Sequence, residues 1–477
     1  PPAVLLSNKK APVTFTLRIM HQSDLTRDES RTPTTIDSEA TTPHFVVDHD
    51  DDDDKKVVFK ASAPGVSVPQ GGRQTSRSEE ARQGSTASTM TSFDKSEVDA
   101  AELSEAEVCR VAVALLGREP SRTWKLSNGG CAANYGVEFL KGAQGDEASI
   151  SCSRCVIKAV TGGESASLAA TQLKVLTALR GSHTAPAPLA DFGVSCETTK
   201  GLTATAVAME FVDGEPANLL VKKHKLSPAR AYAGLAAALG KVHRMAASDP
   251  ELTKVAATND VSGTRFLETY IRVPPEETVD SLFQTSTHDF VANWLLIASS
   301  STHGMTGSGQ HRLAAARTAL ADPTLKRGLL HGDPYADNVL LDLSSSSKQE
   351  CDVVPGRLID WEDVCVGPLA YDLGAAAVAC AFRYDAGADA AHLLPDVLDA
   401  IFSAYFHALG PESRTLFSPR DADALTGLMR ANALAVATYR WHQFCILDPD
   451  APAAARDSYK EMVAIAAVLE SPAGDDA

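Results

Sequence analysis

Two apolar runs in the second half of the chain each end against residues that can hold a cation or a proton. Val339-Leu340-Leu341 follows directly on His331-Gly332-Asp333-Pro334-Tyr335-Ala336-Asp337-Asn338, and Arg357-Leu358-Ile359 runs straight into Asp360. Each run has the length of a short strand. Paired as a β-hairpin, they would set Asp360 beside Asn338. The short turn from Asp333 to Asn338 would swing both of those side chains into the same cleft. The Ser-rich stretch Ser344 to Ser347 and the polar residues after it only lengthen the connection, at modest cost in loop entropy. The pattern therefore restricts the chain to folds in which a loop, a hairpin and a cleft coincide.

The residue types point to one chemistry. Phosphoryl transfer needs a hydroxyl held in line with a terminal phosphate, an acceptor for its proton, and a cation on the phosphate oxygens. Asp333 can take the proton. Asn338 and Asp360 offer the hard oxygen donors, few in number, that magnesium accepts from protein. An ordinary turn also uses Asp and Asn. The sequence His-Gly-Asp, with Asn five residues later and Ile-Asp beyond a second apolar run, is a rarer combination than a turn requires.

Composition narrows the partners. The chain has 477 residues, 44% of them apolar, enough for more than one folding unit with a sizeable core. A net charge of −17 argues against a nucleic-acid surface and an anionic membrane as partners. It leaves room for a nucleotide, which needs only a few local cations. No apolar run reaches the roughly 18 residues of a membrane-spanning helix. The nine cysteines are odd in number and scattered, as expected of reduced thiols in an intracellular, cytoplasmic protein. Cys152 and Cys155 form a single C-x-x-C pair and read as packing residues, because zinc needs about four ligands. The first 27 residues are poor in acids and hold some Lys and Arg, which leaves organellar targeting open.

Along the chain, residues 1–95 read as a disordered or low-complexity tail, with an acidic block at Asp50 to Asp54 and a Ser-, Gly-, Gln- and Arg-rich stretch from Ser67 to Ser92. Ser104 and Glu107 have capping-box spacing, Val108, Val111, Ala112 and Leu115 follow at helical intervals, and Gly117 is a stop. Tyr135 to Leu140, Cys155 to Val160 and Ala206 to Phe211 read as strands, with a helix over Leu168 to Leu179 ended by Gly181. From Ser227, a good N-cap before Pro228, the chain reads helical. An amphipathic stretch includes Phe290, Trp294 and Leu295, and 299–310 reads as a flexible Ser/Gly loop. Long helices are expected over 372–406 and 422–446, with a last one near 456–469. The fold class is α+β: a small sheet-bearing unit over 96–212, then a helical one over 213–477.

The segment from His331 to Asp360 resembles the catalytic loop of the aminoglycoside phosphotransferase and choline kinase superfamily, H-G-D-x4-N followed by I-D. That resemblance implies a protein-kinase-like, two-lobed fold and use of ATP and Mg2+. It makes Asp333 the base, His331 a brace of the catalytic loop, and Asn338 and Asp360 the metal ligands. Asp372, in Gly367-Pro368-Leu369-Ala370-Tyr371-Asp372-Leu373, resembles the family's Y-D-L segment and would brace the loop. Lys158, inside an apolar strand, resembles the third-strand lysine that contacts nucleotide phosphates and pairs with a helix carboxylate. Glu164 is the favoured partner, and Gln172 stands where relatives often carry Glu. Gly129 and Gly130, with Asn134, resemble the loop above the phosphates, although Asn134 comes one residue late. Met209, Glu210 and Phe211 resemble the hinge whose backbone binds adenine.

The acceptor implied is a small-molecule hydroxyl. The stretch to Leu373 and the helix Tyr439 to Phe444 are similar to the homoserine kinase branch, with Arg440 as a clamp for a substrate carboxylate. Trp361-Glu362 leans instead toward choline and aminoglycoside kinases and nominates Glu362 as a substrate residue. Homoserine is the first expectation, choline, ethanolamine or an aminoglycoside the alternatives, and an inactive nucleotide-binding module the reading from another class. Residues 1–89 are expected to be dispensable. A chain beginning at Met90 should fold and keep full turnover, checked by thermal unfolding and by activity beside the longer chain.

Overall fold

A computed structural model of the chain describes residues 44–47, 57–60, 102–126, 132–140, 153–161, 165–257, 319–344 and 353–470. Asn128, Gly129, Gly130, Cys152 and Glu164, the expected amphipathic stretch at Phe290 to Leu295, and the 299–310 loop lie outside them. Within 1–95, the segment read as a tail, β1 (His44–Val47) and β2 (Val57–Lys60) pair antiparallel, His44 opposite Lys60. Both carry the β-branched and aromatic residues that favour extended backbone. The rest of that segment is outside the described residues.

The sheet-bearing part begins at α1 (Glu105–Leu116). The Ser104 hydroxyl accepts the Glu107 N–H at 3.2 Å, and Gly117 ends the helix in the left-handed region at φ 67°. The box is only half closed, because the Glu107 carboxylate accepts from Arg110 and from the Glu197 N–H. Val108, Val111, Ala112 and Leu115 are buried as expected.

They cover one face of a five-stranded antiparallel sheet made of β3 (Arg122–Lys125), β4 (Ala132–Glu138), β5 (Arg154–Thr161), β6 (Val194–Glu197) and β7 (Thr203–Glu210), ordered β3-β4-β5-β7-β6. Tyr135, Val137, Cys155 and Ile157 point toward α1, and the Tyr135 hydroxyl accepts the Leu103 N–H at 2.6 Å. Side chains alternate across a sheet, so the other face carries two cross-strand rows: Trp124, Gly136, Val156 and Met209, then Asn134, Lys158 and Val207. Helix α2 (Ser165–Ala178) lays Ala169 and Leu173 on Val207 and Met209.

After β7 the chain turns at Asp213-Gly214 into β8 (Glu215–Pro216), which joins the second, larger part. Its centre is α3 (Pro228–Ser248), capped by the Ser227 hydroxyl, with Leu235, Leu239 and Val242 buried. Strand β9 (Arg327–Leu330) leads into the His331 loop, and β10 (Val339–Leu341) pairs antiparallel with β11 (Gly356–Leu358). Val339 faces Leu358, and the Ile359 N–H donates to the Asn338 carbonyl at 2.9 Å, so the expected hairpin forms. Strand β12 (Cys365–Pro368) pairs back on β9 and runs into α4 (Leu369–Cys380).

Here the sequence reading needs a correction. The expected long helix over 372–406 is broken by β13 (Phe382–Asp385) and β14 (Ala390–Leu393) before α5 (Pro395–Leu409). Asp385-Ala386-Gly387 makes the break: the Asp385 carboxylate accepts the Gly387 N–H at 2.9 Å, a local bond that competes with helix. Next, α6 (Pro419–Trp441) passes into a π-helical turn over His442–Leu447, and α7 (Ser458–Leu469) closes the core. A small antiparallel sheet on a larger helical body is the two-lobed α+β arrangement expected of a protein-kinase-like fold.

Helices α3 and α5 meet backbone to backbone. A Cβ on Gly240 would lie 2.6 Å from the Tyr405 carbonyl oxygen and 3.0 Å from the Ala408 Cβ. Alanine adds about 1 kcal/mol of helix propensity, while overpacking costs about 1–3 kcal/mol. The 2.6 Å contact is with backbone, so the overpacking cost lies toward its upper end, about 3 kcal/mol. Gly240→Ala is thus expected to lower stability by about 2 kcal/mol net, and a Tm equal to or above that of the unmodified chain would refute the close packing.

Candidate active site

The His331 loop hangs on one buried carboxylate. Asp372, in the first turn of α4, accepts the His331 N–H at 2.7 Å and the Gly332 N–H at 3.1 Å, and is 0% exposed. His243 of α3 adds its Nε2 at 3.2 Å, and the Tyr405 hydroxyl lies 2.7 Å from the His243 Nδ1. With Nε2 donating to Asp372, both ring nitrogens have a partner.

Gly332 sits at φ 89° with space for no side chain: a Cβ there would lie 2.1 Å from the Asp363 carbonyl oxygen. His331 uses both ring nitrogens. Nε2 donates to the Ile359 carbonyl at 2.9 Å, and Nδ1 accepts the Asp333 N–H at 3.3 Å. Burial lowers its proton affinity, against the pull of Asp372, so the ring is neutral. The geometry makes it a brace between the two arms of the site.

Asp333 and Asn338 are locked together. The Asn338 amide nitrogen donates to the Asp333 Oδ2 at 2.7 Å and to its carbonyl at 3.0 Å. The amide oxygen of Asn338 is thereby turned away from Asp333. Asp360 reaches the same cleft from the end of β11 through backbone in the left-handed region, at φ 64°. This is an uncommon conformation for a residue with a side chain, and it is often found at functional positions.

Lys158 closes the cleft from the sheet. It is 4% exposed. Its Nζ lies 2.6 Å from Asp360 Oδ1 and 2.7 Å from Glu362 Oε1. Burial would draw the proton off, but the two carboxylates outweigh it and hold the ammonium form above the ordinary lysine range. Burial likewise opposes ionisation of Asp360, and Lys158 overrides it, so Asp360 is held below its usual value.

Asp333 goes the other way. Burial first, then the charges of Asp363, Asp337 and Asp360, push its carboxyl well above the usual range, with only the Asn338 hydrogen bond opposing. Asp337 is raised too, by burial first and in part by Asp360. Two neighbouring carboxyls are thus driven apart: Asp360 ionised, Asp333 poised to take a proton. Divergent pairs of this kind mark acid–base sites.

The remaining expected residues divide. Asn134 stands next to Lys158 in the cross-strand row. Met209 is buried on the cleft face, opposite Val156. The Glu210 side chain is engaged within the protein, at 2.7 Å from Arg357 and 3.2 Å from the Ala187 N–H. Phe211 stands 6.0 Å from Trp124, with the Arg154 guanidinium 4.6 Å above its ring.

Glu362, nominated for the substrate, is placed on Lys158. Arg440, nominated as a carboxylate clamp, is buried between α6 and α7, where Nη1 donates to the Glu461 carboxylate and the Ser458 carbonyl, each at 3.0 Å. Nothing in the sequence pointed to this partner, because Glu461 lies 21 residues away. The sequence reading also missed Trp124, whose indole covers Gly136 so closely that a Cβ there would lie 2.1 Å from it. The alternation of Arg122, Trp124 and their neighbours was the available signal, too short at four residues to count as a strand.

Raised proton affinity has a consequence for stability. A carboxyl that binds its proton more tightly folded than unfolded makes the fold less stable as pH rises from the unfolded value, near 4, through the raised folded value. Asp333→Asn is therefore expected to raise the Tm of the metal- and nucleotide-free protein at about pH 7.5, with the gain shrinking as pH falls toward about 4. Thermal unfolding across that range checks it, and a gain that is absent, or grows in acid, contradicts the electrostatics described.

Comparison with known proteins bears on the same region. Residues 153–417 match the phosphotransferase enzyme family, APH. No curated protein matches the chain. Among solved structures, a spectinomycin phosphotransferase in complex with ADP and spectinomycin is similar at 12% identity and a TM-score of 0.43, covering 76% of this chain and 97% of that one. A choline kinase from Cryptosporidium parvum is similar at 12% identity and a TM-score of 0.41, covering 73% and 89%. The GDP complex of wild-type aminoglycoside 2'-phosphotransferase-IIIa is similar at 13% identity and a TM-score of 0.45, covering 76% and 98%.

Proposed function

The chain belongs to the phosphotransferase enzyme family, APH, and from that premise we propose that it transfers the γ-phosphate of ATP to a hydroxyl of a small amine-bearing alcohol. The observation that carries this reading is the convergence of Asp333, Asn338, Asp360 and Lys158, from three separate stretches of chain, on one cleft. The same intact set disfavours an inactive nucleotide-binding module.

In this reading Lys158 meets the nucleotide phosphates, and the backbone at Met209 to Phe211 receives the adenine. Asp333 holds the acceptor hydroxyl and takes its proton, a task suited to a carboxyl whose proton affinity is raised toward neutrality. The transition state of phosphoryl transfer is loose, so much of the role of Asp333 is orientation. His331 and Asp372 keep the loop rigid while this happens.

The donor set fits magnesium. Asn338 presents an amide oxygen turned from Asp333, and Asp360 presents an ionised carboxylate at the mouth of the same cleft, both hard oxygens. When bound there, magnesium would neutralise charge on the phosphate oxygens. Asn338 and Asp360 would hold it.

Charge also speaks to the acceptor. Asp337 and Asp363 add their fields to Asp333, a setting that favours an ammonium group over a carboxylate. Arg440 is held by Glu461 and Ser458, which weakens the ground on which homoserine came first. The proposal therefore places choline, ethanolamine or an aminoglycoside ahead of homoserine.

Two measurements test the reading. Asp333→Asn is expected to cut turnover by about 10²–10⁴ with ATP still bound, and near-normal turnover would remove Asp333 from the mechanism. At fixed Mg-ATP, kcat/KM for the best amine without a carboxylate is expected to exceed that for homoserine by about tenfold or more, roughly 1.4 kcal/mol in transition-state binding. Homoserine as the best acceptor would overturn the charge argument and leave the kinase assignment standing.

A further inference from the structure

A buried ammonium that must stay aimed while ligands come and go needs a carboxylate that stays with it. The neighbouring helix supplies none. Helix α2 reads SASLAATQLKVLTA and contains no Asp or Glu. Its buried polar residue is Gln172, beside Leu173, and a neutral amide cannot balance a charge. Among the described residues, which do not include Glu164, the carboxylates within reach of Lys158 come from the other part of the molecule, in the turn after β11.

Asp360 and Glu362 are not equivalent there. They flank Trp361, which is fully buried, donates its indole N–H to the Leu358 carbonyl at 2.9 Å and packs edge-on against His331 at 4.7 Å. With Trp361 pinned in the core, the residues on either side face the lysine. The Asp360 side chain is 33% exposed and opens to the cleft beside Asn338, whereas the Glu362 side chain is 18% exposed. In the proposed reaction the charge of Asp360 is claimed by magnesium. Glu362 is the group left to the lysine.

We infer that Glu362 is the positioning residue of Lys158: it is the resident counter-ion that keeps the ammonium aimed at the nucleotide phosphates, in place of a carboxylate on α2. The inference deepens the phosphotransferase reading and rests on it. It also gives Glu362 a role directed at the nucleotide and not at the acceptor.

The test is calorimetric binding of ADP at saturating magnesium, which leaves Glu362 to the lysine, beside binding of adenosine, which lacks phosphates. Glu362→Gln is expected to weaken ADP by about fivefold or more, the scale of one charged partner lost, and to leave adenosine within about twofold. In a double-mutant cycle, Lys158→Ala with Glu362→Gln should bind ADP no worse than Lys158→Ala alone, because the second change acts only through the first. The activation constant for magnesium and the KM of the acceptor should each stay within about twofold of the unmodified enzyme.

Additive effects on ADP overturn the inference. So does a shift confined to the magnesium constant, which would make Glu362 a metal ligand, or one confined to the acceptor KM, which would make it a substrate residue. A chain that binds no ADP at all overturns the phosphotransferase reading itself. If Glu362→Gln does not fold, adding Lys158→Met is expected to restore the Tm by removing the unbalanced ammonium, and failure to restore it overturns the pairing.

Discussion

The arrangement of the whole molecule turns on a charge in the wrong place. Lys158 occupies the middle of the central strand of the sheet, and an isolated ammonium there would cost more than the surrounding apolar contacts return. Its balance comes from residues some 200 positions later in the chain, across from Asp360 at 2.6 Å and Glu362 at 2.7 Å. The sheet is therefore incomplete as a low-energy object until the helical part presents the β11 turn to it. Such a buried pair adds little net stability against a well-packed apolar alternative, but removing one partner costs about 3–5 kcal/mol. Its contribution is to specify how the two parts meet. The joint it specifies is the cleft in which the proposed chemistry takes place.

Two carboxylates at the loop, Asp372 buried and Asp333 half-buried, show how environment divides labour. Asp372 is surrounded by donors: the His331 and Gly332 N–H groups and the His243 ring all point at it. Asp333, a few residues along, is surrounded by other acids and has one amide to offset them. The first carboxylate is a fixed strut and the second a group under electrostatic strain. Strain of this kind persists only where neighbouring structure over-determines the geometry. Here the strut supplies that determination, since the N–H groups it holds immediately precede Asp333 in the chain.

Much of this was legible in the sequence, and the reason is locality. The Ser104 cap, the Gly117 stop, the apolar face of α3 and the β10–β11 hairpin are each set by residues within a few positions of one another. The catalytic loop was legible for the same reason, because its spacing is itself the geometry. What failed was either a local competitor or a distant partner. The Asp385 side chain, capturing the Gly387 N–H, broke a helix that apolar composition alone would have continued. The place of Glu362 on Lys158 was not legible, because the sequence offers no sign that the two sit opposite each other. The setting of Arg440 was not legible for the same reason, its partner Glu461 being on another helix.

Distance in sequence also explains why the acceptor is the least legible feature. The nucleotide half of the cleft is organised by opposite charges, Lys158 against Asp360 and Glu362, and opposite charges announce themselves as a costly residue in an apolar strand. The acceptor half is organised by like charges. Asp333, Asp337 and Asp363 lie within six residues or on the facing turn, and each reads singly as an ordinary loop acid. Their convergence adds to the effect of burial in raising the proton affinity of Asp333, and creates a field that a cation would relieve. Like charges held together are unfavourable until a ligand of opposite sign arrives, so the free protein carries the cost and the bound acceptor removes it. In the proposed reaction, selectivity for an amine and the basicity of Asp333 would then share an electrostatic origin, to which burial adds.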